Sequence, residues 1–380
     1  MQISSDVLIV GAGPTGLTLA TTLAVHGVRA TVIDRQAQGA NTSRAAVVHA
    51  HTLESLESIG VADRLVARGI RTSQFTIRDR DRILVPVRFD ALPTRYPYTL
   101  MISQAVTEAV LLQRLTELGG HVAWQQGVAD VTQDDQGVIA RMDDSTHLRA
   151  RYLVGADGMH STVRERAEIG FPGGSYGESF SLADVRLTGD IPHDEVILYF
   201  SPKGLFVVAP LPDGVHRIVA TVDSAPEQPD VNYVQALLDT RGPKRKKAIV
   251  EEVIWGSRFY VHHRIANTFR AGRILLAGDA AHVHSPAGGQ GMNIGIQDAI
   301  ALAEALAKTT TDDNDAPLNA YNAARRPVAK QVVLLTDGLT RIATVGWQFR
   351  SLRNAFLRLL AYSPTFRRSL AWRLFGLIYR

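Results

Sequence analysis

Apolar positions along this chain fall into short runs closed by glycine-rich turns, and these alternate with stretches of helical period. Asp6–Val10 reads as a buried strand and Gly11–Gly16 as a tight turn. The stretch to about His26 reads as a helix, and Ala30–Ile33 as a second strand ending in Asp34. A helix is expected from about His49, with Leu53, Leu56 and Ile59 on one face. Strands follow at Phe75–Arg78 and Ile83–Phe89, then a linker marked by Pro93 and Pro97. Ser103-Gln104 opens another helix, with Ser103 as its N-cap. His121–Trp124, Val128–Thr132 and Val138–Met142 read as a meander crossing over the first sheet. Tyr152–Val154 is a further strand, and a helix begins near Ser161, with Arg164 placed to reach back.

From about Glu178 to Ile265 the pattern changes to β segments: Ser181–Leu187, Val196–Phe200, Leu205–Leu211, His216–Val222 and Trp255–His262. A helical stretch, Val231–Asp239, interrupts them. Arg273–Ala277 is again a short apolar run. Behind it Ile296, Ala299, Ile300, Ala303 and Ala307 recur at helical spacing to about Thr309. A last long helix starts at Pro317, with Pro327 expected to kink it. A second sheet set between pieces of a first predicts an α/β protein.

Composition narrows the picture. A chain of 380 residues exceeds one typical core, so two domains are expected. The absence of cysteine excludes disulfides, thiol catalysis and thiolate metal sites, and fits a cytoplasmic location. No basic leader precedes the first strand, and no apolar run reaches the ~18 residues of a membrane span. The net charge of +4 is uneven: residues 338–380 carry eight arginines and no lysine or acid, which leaves −4 for residues 1–337. Such a tail suits an anionic membrane or nucleic acid, or terminal helices docked through Trp347, Phe349, Leu352, Phe356, Leu359 and Leu360; docked helices are expected. The run PKRKK at 243–247 has no interleaved aromatic residues to stack on bases, so no nucleic-acid partner is expected.

Three strand ends carry glycine and acid chemistry. Gly11, Gly13 and Gly16, with Pro14 and Thr15 between them, form a G-x-G-x-x-G turn between strand and helix, and Asp34 follows about 20 residues on. That context points to an adenine dinucleotide: glycines for the turn and for close approach to a pyrophosphate, helix amides for its charge, an acid for a ribose hydroxyl. The second junction is Asp157-Gly158, and the third is Gly278-Asp279 with the loop Pro286-Ala-Gly-Gly-Gln-Gly before a helix. One dinucleotide fold with two further acid–glycine sites calls for a dinucleotide with a second, bulky ring system, FAD more than NAD. Arg44 sits just past the second strand, within reach of the same phosphates or merely at the surface.

The order GAGPTG, SRA, ISQ, GADGMHSTVR and GRILLAGDAAHVHSPAGGQGMN resembles the para-hydroxybenzoate hydroxylase-like flavoprotein monooxygenases, in their phenol and polyketide hydroxylase branch, over roughly residues 3–335. The resemblance implies a glutathione-reductase-like FAD-binding Rossmann domain (1–71, 98–177 and 266–316), an inserted antiparallel β-sheet substrate domain (72–97 and 178–265) and a C-terminal helical segment (317–380). It places Gly11, Gly13, Pro14, Thr15 and Gly16 on the FAD pyrophosphate, Asp34 and Arg35 at the adenosine ribose, and Arg44 and Gln104 along the adenosine and phosphate side. Asp157 and Gly158 serve FAD and the pyridine nucleotide. Gly278 and Asp279 take the ribityl or pyrophosphate end, and Pro286, Gly289, Gly291, Met292 and Asn293 border the isoalloxazine. His160 matches an NADPH-binding position, or else starts a helix.

The implied reaction is NADPH- or NADH-driven hydroxylation of an electron-rich aromatic or polyketide-type small molecule through a flavin hydroperoxide. Tyr199, His216 and His49 are candidates for a group assisting phenol deprotonation only because they fall where the pocket is expected, and for each a packed sheet or helix side chain is the preferred reading. The substrate pocket is expected between segment 72–100 and the 178–265 sheet. A monomer or homodimer is expected. The competing reading is a membrane-associated flavin hydroxylase or reductase acting on a quinone or prenyl lipid. A flavin halogenase would want a Trp-x-Trp-x-Ile motif, and Trp124, Trp255, Trp347 and Trp372 stand apart.

Overall fold

Ser5–Val10 lies inside a mostly parallel sheet, and its fully covered Val7, Leu8 and Ile9 are the continuous apolar run such a strand requires. The computed structural model describes residues 5–39, 45–90, 92–201, 203–245, 247–343 and 347–379. Ala30–Asp34 pairs parallel on one side of Ser5–Val10 and His147–Gly155 on the other. Val122–Trp124 lies beyond the former and Ile274–Leu276 beyond the latter. The chain thus builds outward in one direction and returns to build in the other. The crevice between the carboxyl ends of Ser5–Val10 and His147–Gly155 is the topological switch point, where open α/β sheets bind ligands.

Val122–Trp124 is a parallel edge strand, not part of a meander. It follows the helix Gln104–Glu117, and a strand returning after a helical crossover joins the sheet in parallel. Only Val128–Asp134 and Gly137–Met142 form the antiparallel excursion, and this pairs with His147–Gly155. Ser103 caps Gln104–Glu117 by accepting from the Val106 amide at 3.3 Å.

The second sheet runs in the order His282–Val283, Ala248–Ile265, Gly173–Gly189, Val215–Val222, Gly204–Leu211, Glu195–Ser201, Gln74–Asp79 and Arg82–Arg88. It is antiparallel except where Gln74–Asp79 runs parallel to Glu195–Ser201, a pairing between segments too distant in sequence for a hairpin. Pairing of Gly173–Gly189 with Ala248–Ile265 begins at Gly173, so the inserted sheet starts before residue 178. Side chains alternate across it. Val196, Leu198, Leu205, Val207 and Val219 line a cavity, while Ile197, Tyr199, Phe206, Ile218 and Ala220 form a separate core beneath the helix Val231–Arg241.

Ala316–Ala343 continues as one helix past Pro327. The helices Arg350–Tyr362 and Pro364–Leu374 then lie against Arg82–Arg88, and Arg350 pairs with Asp79. Docking uses only part of the tail's apolar residues. Leu357, Ala371, Leu374, Phe375 and Leu377 are buried, whereas Phe349, Leu352, Phe356 and Leu359 are 57–71% exposed.

Candidate active site

At the switch point a cavity of about 760 Å³ opens and runs from the glycine turn to the second sheet. Its first end is set by Gly11, whose φ of +107° and tight neighbourhood exclude a side chain: an added Cβ would lie 2.3 Å from the Ala156 carbonyl oxygen. The two strand ends therefore touch, and Gly11, Gly13, Pro14, Thr15, Asp157 and Gly158 line one continuous surface. Gly16 stands behind it, with its Cα against the Gly11 carbonyl.

Asp34 and Arg35 also line the cavity. Asp34 Oδ2 accepts from the Ala12 amide at 2.7 Å and Oδ1 from the Gln36 amide at 2.8 Å, so this acid braces the glycine turn that it faces. Gln104 lines the wall, accepts from the Ala45 amide at 3.2 Å and donates to Glu108 at 2.8 Å. Arg44 lies outside the described residues. Asp157 Oδ2 accepts from the Val163 amide at 3.2 Å, while the buried Oδ1 has no hydrogen-bond partner among the described residues. Burial pushes this carboxyl up, against hydrogen bonds from Ser161 and Val163. An acceptor so placed suits a ligand hydroxyl. His160 lines the cavity from an exposed position at its rim, and Arg164 reaches back to the Met159 and Ala280 carbonyls at 2.9 Å.

The third junction contributes Asp279, Pro286, Gly289, Gly291 and Met292 to the lining, with the helix Gly291–Asp312 starting there. Gly278 and Asn293 do not line it. Gly278 packs against Thr15, where an added Cβ would fall 2.5 Å from Oγ1. Asn293 ties the loop down: Oδ1 accepts from the His49 amide at 2.8 Å, and Nδ2 donates to the Val47 and Gly289 carbonyls at 3.0 and 2.8 Å. Below the loop, fully buried Asp298 accepts from the Gly278 amide at 3.3 Å, bonds His282 Nε2 at 2.6 Å and accepts from Arg325 Nε at 2.7 Å.

The far end of the cavity is apolar, walled by Phe75, Phe89, Leu182, Leu198, Val207 and Phe259 and closed by Leu374 and Phe375. Among the described residues one cation, Arg217, reaches it. Arg217, 2% exposed, is held by two 2.7 Å bonds to Asp184 and donates to the Ala45 carbonyl at 2.8 Å.

Of the three groups proposed to assist chemistry, only His49 lines this space. Tyr199 and His216 point to the opposite face of the sheet, which corrects their expected placement. Each is one residue out of step with a lining neighbour, Leu198 and Arg217 respectively. Burial pushes the Tyr199 phenol up to about 12 and His216 down to about 4. The tail's wall, the Arg217–Asp184 pair and the Asp298 network escaped sequence reasoning. Their partners are far apart in the chain, and no local spacing marks them.

Glycine cradle, orphaned acid and ring-sized apolar chamber fit a dinucleotide carrying a second ring system, and together they define an FAD-binding flavoprotein. The chain matches the family described as FAD binding domain over residues 4–336, and it belongs to that family. It is 42% identical to the 6-methylpretetramide 4-monooxygenase of Streptomyces rimosus across 92% of this chain and 63% of that protein. It is 34% identical to the pentachlorophenol 4-monooxygenase of Sphingobium chlorophenolicum across 88% of this chain and 64% of that protein. The chain thus spans less than two thirds of the length of these two relatives. An anhydrotetracycline hydroxylase from Streptomyces rimosus superposes with a TM-score of 0.82 at 33% identity, covering 98% of this chain and 76% of that one. Among the described residues no helix is long and apolar enough to cross a membrane.

Proposed function

We propose that this chain is an FAD-dependent, NAD(P)H-consuming monooxygenase that hydroxylates an electron-rich aromatic or polyketide-type small molecule. One observation carries the reading: a single cavity joins the glycine and acid cradle to an apolar chamber. The ring end of a cofactor laid in the cradle would face a substrate held away from water. The names of the relatives, monooxygenases of a pretetramide and of pentachlorophenol, support the substrate class.

Bound FAD would supply electron transfer and oxygen activation. The chain's residues bind, orient and exclude water. Gly11, Gly13, Pro14, Thr15 and Gly16 would hold the pyrophosphate, with Asp34, Arg35, Arg44 and Gln104 on the adenosine side. Asp157 Oδ1 and Asp279 would take hydroxyls along the chain. Amides of the Gly289–Asn293 loop, at a helix start, would stabilise negative charge on the ring system. His160 at the rim would meet the nicotinamide cofactor. The apolar walls would orient the acceptor carbon. The FAD-binding part would comprise the first sheet, the substrate part the second, and the protein would work in the cytoplasm as a monomer or homodimer.

The test begins with the purified protein's visible spectrum: a preparation that takes up no FAD ends the reading. NADPH and NADH oxidation is then followed across phenols, polycyclic polyketides and quinolones, with product masses. Gain of one oxygen atom is the expected result. Cofactor oxidation without an oxygenated product would leave a reductase, and gain of chlorine a halogenase.

A further inference from the structure

We propose that the helix Arg350–Tyr362 is an interfacial anchor, whose bare apolar stripe and neighbouring arginines seat this protein on an anionic lipid surface. None of the stripe's residues lines the cavity, so the proposal is independent of the hydroxylase reading.

This helix is amphipathic with its faces reversed. Leu352, Ala355, Phe356, Leu359 and Tyr362 recur at the i, i+3, i+4, i+7 and i+10 spacing of a single helical face. A surface helix ordinarily turns such a face to the core, yet all five residues are exposed, the four large ones by 57–77%. Phe349, 60% exposed, lies one residue before the helix and extends the same patch. The inward side instead carries Leu357 and Arg353, and the buried Arg353 donates to the Phe200 carbonyl at 3.4 Å. Arg350 and Asn354 fasten that side to Asp79. Polar groups therefore carry much of the docking, while the apolar stripe stays in water until an apolar partner covers it.

Charge decides the partner. Residues 338–380 contain no acid. Arg350 pairs with Asp79 and Arg341 with Asp337, whereas Arg358, Arg368 and Arg373 make no ion pair among the described residues. Arg358 borders the stripe, three residues from Ala355 and four from Tyr362. Arg368 and Arg373 are exposed on the helix Pro364–Leu374, which packs against the first. A second copy of this chain would set arginine against arginine across the stripe, with no acid in either tail to offset them. An anionic lipid surface meets both halves of the patch. Its acyl chains take Leu352, Phe356 and Leu359, its phosphates take the guanidiniums, and Tyr362 sits at the headgroup level. The stripe is the crest of one helix, a shape that lies flat in the interface between headgroups and acyl chains.

The experiment floats the full chain with vesicles of phosphatidylcholine alone, or of phosphatidylcholine and phosphatidylglycerol mixed about two to one, at low and at high salt. The protein should float with the mixed vesicles at low salt, and high salt should weaken the binding about tenfold or more. Phe356→Ser combined with Leu359→Ser should weaken it about tenfold or more at either salt concentration. Arg368→Gln combined with Arg373→Gln should weaken it about tenfold at low salt only. All four side chains are exposed, so circular dichroism should be unchanged; if the serine pair does not fold, Leu352→Gln replaces it. No flotation with the mixed vesicles at low salt, equal flotation with phosphatidylcholine alone, or binding that survives the serine pair would each overturn the proposal. So would a dimer in light scattering that the serine pair returns to monomer, because a second copy would then cover the stripe.

Discussion

Gln290 Nε2 donates to the carbonyl of Leu374 at 2.8 Å, so the glycine-rich loop and the end of the C-terminal helices share a buried hydrogen bond. Next to it Phe375, fully buried, packs its ring tilted against that of Phe89, centroids 3.8 Å apart, just past the strand Arg82–Arg88 of the second sheet. The arginine-rich tail is therefore a wall of the site as well as an outer layer. Loop, sheet and tail meet where the substrate is proposed to lie.

Gln290→Ala should loosen that junction. The Leu374 carbonyl would be left buried and unpaired, a loss of about 1–3 kcal/mol. Urea denaturation of the FAD-loaded protein would read it as a lower midpoint at unchanged slope. Release of FAD from the variant should quicken, because the loop bearing Gly291 and Met292 loses its anchor. Unchanged stability and unchanged release would mean that the tail rests on the loop without supporting it.

Asp298 is the second anchor, and its effect depends on pH. Burial alone would push its carboxyl up, but the Arg325 and His282 partners outweigh that and hold it below the usual carboxylate range. A depressed folded-state pKa contributes stability above the unfolded value of about 3.9, and that stability is lost as pH falls through the folded one. Asp298→Ala should cost about 3–5 kcal/mol at neutral pH, since Arg325 would remain buried and unpaired. Thermal melts below about pH 4 should show wild type and variant converging. A constant gap over that range would assign the acid transition to other carboxylates.

The parts legible in the sequence are those where backbone geometry dictates residue type. Gly11 must lack a side chain because Ala156 crosses it, and Ser103 announces a helix through a local bond. The inserted sheet was readable as strands, but its facing was not. Ile197, Leu198, Tyr199 and Phe200 are apolar without interruption because both faces are covered, so no polar alternation marks the side toward the cavity. The tail posed the opposite problem: Phe375 looks like any aromatic residue near a terminus, and only its docking against Phe89 gives it a place. Arg217 and Asp184 lie on different strands, and register alone brings them together.

That facing yields a direct comparison. Tyr199→Phe alters the core beneath the helix Val231–Arg241, and His216→Phe a buried position one residue out of step with the lining Arg217, both on the side of the sheet away from the cavity. Turnover per bound FAD should stay within about threefold of wild type for both, less than 1 kcal/mol of transition-state stabilisation. Activity alone does not separate a chemical from a folding defect in His216→Phe, so its melting temperature is recorded alongside. A loss of a hundredfold or so in kcat at full FAD content, for either variant, would place these side chains in the chemistry and reverse the assignment of faces.

Gly11 and Gly158 separate steric exclusion from backbone strain within one site. Both adopt positive φ, +107° and +80° respectively. An alanine at 158 would meet nothing within 4 Å, so its cost is the strain of a left-handed residue, about 1–2 kcal/mol. An alanine at 11 would place its Cβ 2.3 Å from the Ala156 carbonyl oxygen and 2.9 Å from the Asp157 amide nitrogen, both backbone atoms that cannot swing aside. It must push apart the two strand ends that form the switch point. Gly158→Ala should therefore fold, with FAD affinity weakened about tenfold or less. Gly11→Ala should be isolated without flavin, or fail to fold. Flavin content after gel filtration, with fluorescence titration of added FAD, distinguishes the two. Equal flavin occupancy in both variants would show that the strand ends can part, and that contact between Gly11 and Ala156 does not define the cradle.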